Sequence, residues 1–111
     1  MVFFYFCKIY KNVKMADQLS YLFSTRTSKD LAEKIALHYG QELGKIVIQE
    51  FSDGEFEPVL DESVRGGRVF LIGSTFPPAD NLLELLLMID AAKRASAKNI
   101  TVVLPYFGLA R

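Results

Sequence analysis

The sequence predicts an α/β fold, in which one mostly parallel sheet carries helices on both of its faces. Segments typical of strands alternate with segments typical of helices along most of the chain, which is the pattern of strand–helix–strand units. Two of the strand segments are apolar without alternation, as expected of strands that are covered on both faces. The 111 residues are 50% hydrophobic, which suffices for one small domain with a packed core.

The first unit of strand and helix begins near residue 19. Residues 19–23 are a short apolar segment that predicts a strand. Thr27 and Ser28 are both favoured N-cap residues for the helix that follows, and Asp30 places a negative charge in its first turn. Gly40 ends this helix, because glycine adopts the left-handed conformation at low cost. The predicted apolar face of the helix consists of Leu31, Ala32, Ile35, Ala36 and Leu37.

A turn signal separates two further strand segments. Residues 45–51 are rich in β-branched side chains and predict a strand. The Asp-Gly pair within residues 52–55 is a strong turn signal, because both residue types tolerate positive φ. Residues 56–60 predict another strand, in which Pro58 indicates a sheet edge or a bulge.

The second half of the chain contains a long helix between two strands of the buried type. The two strands are residues 68–72 and residues 99–104. The helix spans residues 81–95, with Asp80 as its predicted N-cap and an ion pair expected between Asp90 and Arg94. Because this helix is apolar nearly all round, we expect it to lie between layers or in a subunit contact.

Ligands of parallel α/β sheets gather at the carboxyl ends of the strands. Three loops are predicted at that edge, namely residues 52–55, 74–75 and 106–108. The chain stops at Arg111, directly after the last of these loops. A domain seldom ends on a strand exit, so we expect a chain that is truncated at its C-terminal end.

The charge balance and the scarce residue types exclude several classes of function. Lysine plus arginine and aspartate plus glutamate both number 13, so the basic excess of a nucleic-acid-binding protein is missing. Cys7 is the single cysteine and His38 the single histidine, which excludes an intramolecular disulfide and a cysteine-based zinc site. Without a disulfide framework, we expect a reducing, cytoplasmic location.

The amino terminus differs from the rest of the chain. Residues 1–7 are apolar, but the run is far shorter than the roughly 20 residues of a membrane-spanning helix. Lys8 and Lys11 follow it, which is the reverse of the order in a signal peptide. We therefore expect no membrane partner, and interpret residues 1–14 as a non-native or disordered leader before a domain of residues 15–111.

The residues alone allow two interpretations of the turn that follows Phe51. The ring could stack on a purine while the carboxylates of Asp53 and Glu55 accept hydrogen bonds from amino or ribose groups. The simpler interpretation is an ordinary hairpin turn with solvated acids. Arg65 and Arg68 flank two glycines and suit an anion, although surface arginines beside glycines are common. Neither the dinucleotide nor the P-loop fingerprint occurs in the sequence.

Several ordered segments, taken together, resemble the ribose-phosphate pyrophosphokinase family over residues 19–111. The matching segments are residues 51–55 (Phe-Ser-Asp-Gly-Glu), 64–67 (Val-Arg-Gly-Gly), 81–85 (Asn-Leu-Leu-Glu-Leu), 88–91 (Met-Ile-Asp-Ala), 93–97 (Lys-Arg-Ala-Ser-Ala) and 105–108 (Pro-Tyr-Phe-Gly). Their order and spacing are those of the family, which makes the signal more specific than any one motif.

The resemblance implies a phosphoribosyltransferase-type fold of two similar halves, of which this chain is the amino-terminal one. It also implies transfer of the diphosphoryl group of ATP to ribose 5-phosphate, giving phosphoribosyl pyrophosphate and AMP. The implied partners are ATP, ribose 5-phosphate and further copies of the chain, in a homo-oligomer of the hexamer-of-dimers type. The implied cofactor is Mg²⁺, with its ligands downstream of Arg111.

Carried over by position, the resemblance assigns an ATP-binding role to residues of the acidic turn and to the last residue of the chain. These residues are Phe51, Asp53, Gly54, Glu55 and Arg111. Arg65 matches an arginine associated with a regulatory phosphate or ADP site. No catalytic residue is expected within the chain, because the family's catalytic loop and its ribose-phosphate loop belong downstream of Arg111.

The chain departs from the family pattern at two positions near the expected site. Gly73 stands where the family often has glutamine, and Leu109 where it often has tyrosine. We expect the chain alone to be inactive. A non-catalytic regulatory or associated subunit of the same family stays open as the alternative, because nothing before Arg111 separates it from an active enzyme.

Overall fold

The computed structural model describes residues 3–4 and 19–111. The elements in chain order are β1 (Phe3–Phe4), β2 (Ser20–Ser24), a single 3₁₀ turn (Arg26–Ser28), α1 (Lys29–Tyr39), β3 (Ile46–Glu50), β4 (Phe56–Leu60), β5 (Arg68–Ile72), α2 (Asp80–Arg94) and β6 (Asn99–Val103). The predicted leader lies outside the described residues except for Phe3 and Phe4, so its interpretation stays a prediction. Among the described residues, no helix is long and apolar enough to cross a bilayer.

The main sheet has four parallel strands in the order β1-β6-β5-β2. The central register aligns Phe23 of β2 with Leu71 of β5, and Leu71 with Val102 of β6. The connection from β2 to β5 contains α1 and the connection from β5 to β6 contains α2, because parallel neighbours need a crossover. The predicted parallel α/β sheet is confirmed.

The two faces of this sheet are covered by different helices. Phe23, Leu71 and Val102 point to one face and pack with residues of α2 such as Met88. Their neighbours along the strands point to the other face, because side chains alternate along a strand. There Leu22 and Ile72 pack with Ala32 and Ala36 of α1. The prediction of helices on both faces is therefore confirmed.

Strands β3 and β4 form a separate two-stranded antiparallel sheet rather than extending the parallel one. The connection between them is too short for the crossover that parallel strands need. The register pairs Glu50 with Phe56 next to the turn and Ile46 with Leu60 at the other end. Both strands are edges, so Pro58 leaves no interior ladder position unpaired.

Helix α1 corrects part of the predicted apolar face. Ala32 and Ala36 are buried, whereas Leu31 and Leu37 are exposed. Small side chains let the helix approach the sheet closely, and the larger leucines lie off the line of contact. Ser28 occupies the predicted N-cap position without a side-chain capping bond, and Gly40 ends the helix at φ 88° as predicted.

Helix α2 begins one residue earlier than predicted. Asp80 is its first residue and the N-cap position belongs to Ala79, so the prediction that Asp80 caps the helix is wrong. The predicted ion pair between Asp90 and Arg94 is present at 2.8 Å. One side of the helix is buried in the core, while Leu83 and Leu86 remain about half exposed.

Candidate functional site

Two of the three loops predicted at the carboxyl edge of the sheet are joined directly. The backbone N–H of Thr75 donates to the carbonyl of Tyr106 at 3.0 Å, and the N–H of Gly108 donates to Oγ1 of Thr75 at 2.9 Å. A Cβ at Gly108 would lie 2.3 Å from the carbonyl oxygen of Thr75, so this close approach requires glycine. The predicted proximity of these loops is confirmed.

The residues that follow β2 are hydrogen-bonded to the same edge of the sheet. The N–H of Ser74 donates to Oγ of Ser28 at 3.0 Å, and the N–H of Thr25 donates to the carbonyl of Ile72 at 2.9 Å. All four residues are buried. Their polar groups are engaged with each other, so this part of the edge is a support for a site rather than its binding surface.

The acidic turn is closed by its own hydrogen bonds. The N–H of Phe51 donates to the carbonyl of Glu55 at 2.9 Å, and the N–H of Gly54 donates to the carbonyl of Phe51 at 3.1 Å. Oδ1 of Asp53 accepts the N–H of Glu55 at 3.0 Å. Gly54 has φ 92°, a left-handed conformation that favours glycine. The turn is therefore a well-defined hairpin loop.

The same turn presents its functional groups to the surface. The Phe51 side chain is 49% exposed, and Asp53 and Glu55 are exposed as well. One oxygen of Asp53 is used within the turn, which leaves the rest of both carboxylates available as acceptors. The two interpretations of the sequence are thus compatible, because the hairpin turn itself holds an aromatic ring and two acids in one place.

Arg26 connects the hairpin to the main sheet. It lies in the loop directly after β2, and its Nη1 is 2.6 Å from Oε1 of Glu50. The guanidinium carbon also lies 5.4 Å from the centre of the Phe56 ring. Glu50 and Phe56 are the strand residues next to the acidic turn. The turn end of the hairpin therefore lies beside the carboxyl end of β2, as the sequence predicts.

Sequence reasoning did not identify Glu84 as part of this region. Its side chain is only 2% exposed, and Oε2 accepts a hydrogen bond from Nε of Arg26 at 3.1 Å. Oε1 accepts the backbone N–H of Arg26 at 2.9 Å. Burial by itself lowers the pKa of Arg26, but the bonds to Glu84 and Glu50 outweigh it and raise this pKa above its usual value.

A signal for Glu84 exists in the sequence. It is a single acid inside the leucine-rich run of residues 82–89. A charged residue on a helix that is otherwise apolar either faces solvent or meets a partner of opposite charge. The partner, Arg26, is 58 residues away along the chain, and such a distant pairing has no local pattern that would indicate it.

The structure does not bring the predicted regulatory arginine to the acidic turn. Arg65 is exposed and lies before the first residue of β5, which is the opposite end of the sheet from the loops at residues 74–75 and 106–108. The chain beside it turns through Gly66, whose N–H donates to the carbonyl of Ser96 at 2.9 Å. Arg111 is exposed at the end of the chain.

The two departures from the family pattern have different consequences. A Cβ at Gly73 would lie 2.6 Å from Cγ2 of Thr25, so the threonine occupies the space that a larger residue at position 73 would need. Leu109 has φ 64° and an exposed side chain. Thr25 therefore fills the space beside Gly73, whereas the side chain of Leu109 lies at the surface.

A cleft of about 520 Å³ lies between the start of α1 and β3. Its lining includes the cations Arg26, Lys29 and Lys45, together with the acids Glu33 and Asp61. Because both signs of charge line it, the cleft does not select an anion.

The described residues do not by themselves form a magnesium site. Within residues 3–4 and 19–111, no three histidine, cysteine, aspartate or glutamate side chains converge as metal ligands. Asp53 and Glu55 alone do not supply the octahedral oxygen set that Mg²⁺ prefers. The expectation that the ligands of Mg²⁺ follow Arg111 stays a prediction.

Comparison with known proteins identifies the family. Residues 20–111 match the family model described as the N-terminal domain of ribose phosphate pyrophosphokinase. The ribose-phosphate pyrophosphokinase of Porphyromonas gingivalis is 60% identical over 90 residues, which cover 81% of this chain and 29% of that protein. Chloroplastic ribose-phosphate pyrophosphokinase 2 of Spinacia oleracea is 58% identical over 91 residues, covering 81% and 23% of the two chains.

A solved structure gives the same result. The crystal structure of phosphoribosylpyrophosphate synthetase from Mycobacterium smegmatis superposes with a TM-score of 0.72 at 39% identity, covering 78% of this chain and 29% of that chain. The chain thus spans less than a third of the length of each of these three proteins. With its parallel sheet, its acidic hairpin turn and this match over residues 20–111, the chain belongs to the ribose phosphate pyrophosphokinase family and corresponds to its N-terminal domain.

Proposed function

We propose that this chain is the N-terminal domain of a ribose-phosphate diphosphokinase. The whole protein would transfer the diphosphoryl group of ATP to ribose 5-phosphate, giving phosphoribosyl pyrophosphate and AMP. The match to the family's N-terminal domain over residues 20–111 and the names of relatives at 52–60% identity support the proposal. The single observation that carries it is the intact, exposed turn at residues 51–55 within that match.

The turn is suited to bind the nucleoside part of ATP. The half-exposed ring of Phe51 offers an apolar face on which an adenine can stack. The carboxylates of Asp53 and Glu55 can accept hydrogen bonds from the amino group of the base or from ribose hydroxyls. Glycine is favoured at position 54 by its left-handed backbone, φ 92°, and the space beside it is open, because a Cβ there would meet no atom within 4 Å.

Arg111 is proposed as a further ATP contact, because a guanidinium pairs with phosphate oxygens in a bidentate manner. Arg65 is proposed for a separate phosphate or ADP site, which agrees with its position at the other end of β5. Mg²⁺ is the proposed cofactor, and when bound it would supply positive charge that offsets the charge of the phosphate groups. A homo-oligomer and a cytoplasmic location complete the proposal, although some relatives are named as chloroplastic.

A chimera tests the proposed function. Residues 20–111 of this chain replace the corresponding segment of the Porphyromonas gingivalis relative, and formation of phosphoribosyl pyrophosphate from ATP and ribose 5-phosphate is measured. We expect the chimera to retain activity within about tenfold of the parent. A chimera that keeps the parent's circular dichroism and oligomeric state but makes no product contradicts an active domain and favours the non-catalytic subunit.

A further inference from the structure

The side chain of Arg26 contacts three other residues. Its Nε donates to the buried Glu84 of α2 at 3.1 Å, its Nη1 donates to Glu50 of β3 at 2.6 Å, and its guanidinium lies over the ring of Phe56 of β4. These contacts join the exit of β2, the buried side of α2 and both strands of the hairpin. We call Arg26, Glu84, Glu50 and Phe56 the clasp.

The clasp acts at the turn end of the hairpin. At the opposite end, Ile46 and Leu60 pack against the core cluster that contains Met88. Nearer the turn, Ile48 is half-buried and Pro58 is buried, whereas Phe51 at the turn itself is half exposed. A two-stranded sheet is only marginally stable by itself, so contacts with the rest of the domain determine where the turn end lies.

Arginine suits this position better than lysine. The planar guanidinium presents separate N–H groups to two carboxylates and a flat face to an aromatic ring at the same time, whereas an ammonium group is a point charge. The group stays protonated at every physiological pH. Glu84 fixes the orientation of the guanidinium, because the buried carboxylate accepts hydrogen bonds from both the Nε–H and the backbone N–H of Arg26.

We propose that Arg26, anchored by Glu84, is a positioning residue that holds the acidic turn of the hairpin at a fixed place beside the carboxyl edge of the sheet. Its consequence for ATP rests on the proposed function, since the turn is the proposed nucleotide contact. The mechanical part of the proposal, that Arg26 holds the turn in place, does not depend on that function. Holding the turn in its binding geometry before the ligand arrives raises affinity, because less ordering is left for binding to complete.

Amide hydrogen exchange of this chain, followed by NMR, tests the mechanical part. In Arg26→Met we expect the N–H of Phe51, at the turn end, to exchange about tenfold faster. The N–H of Asp61, which donates to the carbonyl of Lys45 at the other end of the hairpin, should change by less than about twofold, within the scatter of independent sites. Arg94→Met, which removes a surface ion pair on α2, is the matched control and should leave both amides unchanged.

Glu50→Gln keeps the test decisive if Arg26→Met does not fold. The Glu50 side chain is 67% exposed, so its replacement leaves the buried pair of Arg26 and Glu84 in place. We expect about threefold faster exchange at Phe51, in proportion to an exposed ion pair. Unchanged exchange at Phe51 in a folded variant overturns the proposal, and so does an equal rise in exchange across β2, β5 and β6.

Steady-state kinetics of the whole protein test the consequence for ATP. We expect Arg26→Met to raise the KM for ATP about tenfold, with kcat and the KM for ribose 5-phosphate within about twofold. Arg94→Met should leave all three unchanged. A KM for ATP that stays constant while the hairpin amides open overturns the positioning role. Absence of any diphosphokinase activity in the unsubstituted protein contradicts the proposed function instead, and the exchange result still decides the mechanical part.

Discussion

At the scale of single residues, Glu84 is the acidic residue that is buried among residues 19–111, at 2% exposure. Burying a carboxylate is unfavourable unless hydrogen bonds and an opposite charge compensate it. In this domain, the backbone N–H and the Nε–H of Arg26 donate hydrogen bonds to the two carboxylate oxygens of Glu84. The pair therefore makes the position of the loop after β2 depend on α2, which lies on one face of the sheet.

We expect Glu84→Ala to destabilise the domain by about 2–3 kcal/mol, because it leaves the backbone N–H of Arg26 without its acceptor and empties a buried site. Asp90→Ala is the matched control, since Asp90 pairs with Arg94 on the exposed side of the same helix. Its expected effect is below about 1 kcal/mol. Urea denaturation monitored by circular dichroism measures both, and equal losses contradict a special role for Glu84.

At the scale of elements, the sequence predicts what depends on local pattern. The apolar strands at residues 68–72 and 99–103, the Asp-Gly turn and the glycine that ends α1 all appear where local propensity and turn chemistry place them. The apolar face of α1 was predicted only in part, because hydrophobicity alone does not distinguish an alanine at the contact from a leucine beside it. Close packing of the helix against the sheet makes that distinction.

The pairings that hold the candidate site together could not be predicted from the sequence. The residues of the acidic turn are contiguous in the sequence, so their composition and their resemblance to the family were enough to predict the turn as a candidate site. The contacts of Arg26 with Glu50 and Glu84 join residues 24 and 58 positions apart. Such pairings follow from how α2 and the hairpin pack, and no local spacing in the sequence indicates them.

Two substitutions in α1 test the corrected face of that helix. Ala36 is 2% exposed, whereas Leu37 is 78% exposed. We expect Ala36→Val to destabilise the domain by about 1–3 kcal/mol, since added methyl groups must displace the sheet. Leu37→Ala should change stability by less than about 0.5 kcal/mol. Thermal denaturation compares the two, and a larger loss for Leu37→Ala contradicts the described packing.

At the scale of the whole molecule, α2 leaves part of its apolar surface uncovered. Leu83 and Leu86 are 46% and 52% exposed, on a helix whose other side forms the core. Exposed apolar side chains on one element favour association with a second apolar surface. We therefore predict that the apolar segment of α2 drives association of the chain.

Sedimentation velocity of this chain measures that association. We expect concentration-dependent oligomers for the unsubstituted chain, and a monomer for the double variant Leu83→Glu and Leu86→Glu, because the charges must be desolvated on contact. Leu37→Glu, on the exposed side of α1, is the matched control and should associate like the unsubstituted chain. A monodisperse monomer for the unsubstituted chain contradicts the prediction.

The proposed function depends on the acidic turn as the ATP-binding part of this domain. Asp53 has two roles in the turn, because one oxygen accepts the N–H of Glu55 while its charge faces solvent. Asp53→Asn retains an oxygen acceptor and removes the charge, whereas Asp53→Ala removes both. Comparing the two variants separates the geometry of the turn from its electrostatics.

The most direct measurement is the affinity of the whole protein for ATP and for ribose 5-phosphate in Asp53→Ala, determined by isothermal titration calorimetry. We predict that the Kd for ATP rises by about tenfold or more, while the Kd for ribose 5-phosphate changes by less than about twofold. Asp53→Asn should lie between Asp53→Ala and the unsubstituted protein for ATP. Equal losses of affinity for both substrates contradict the assignment of the turn to ATP.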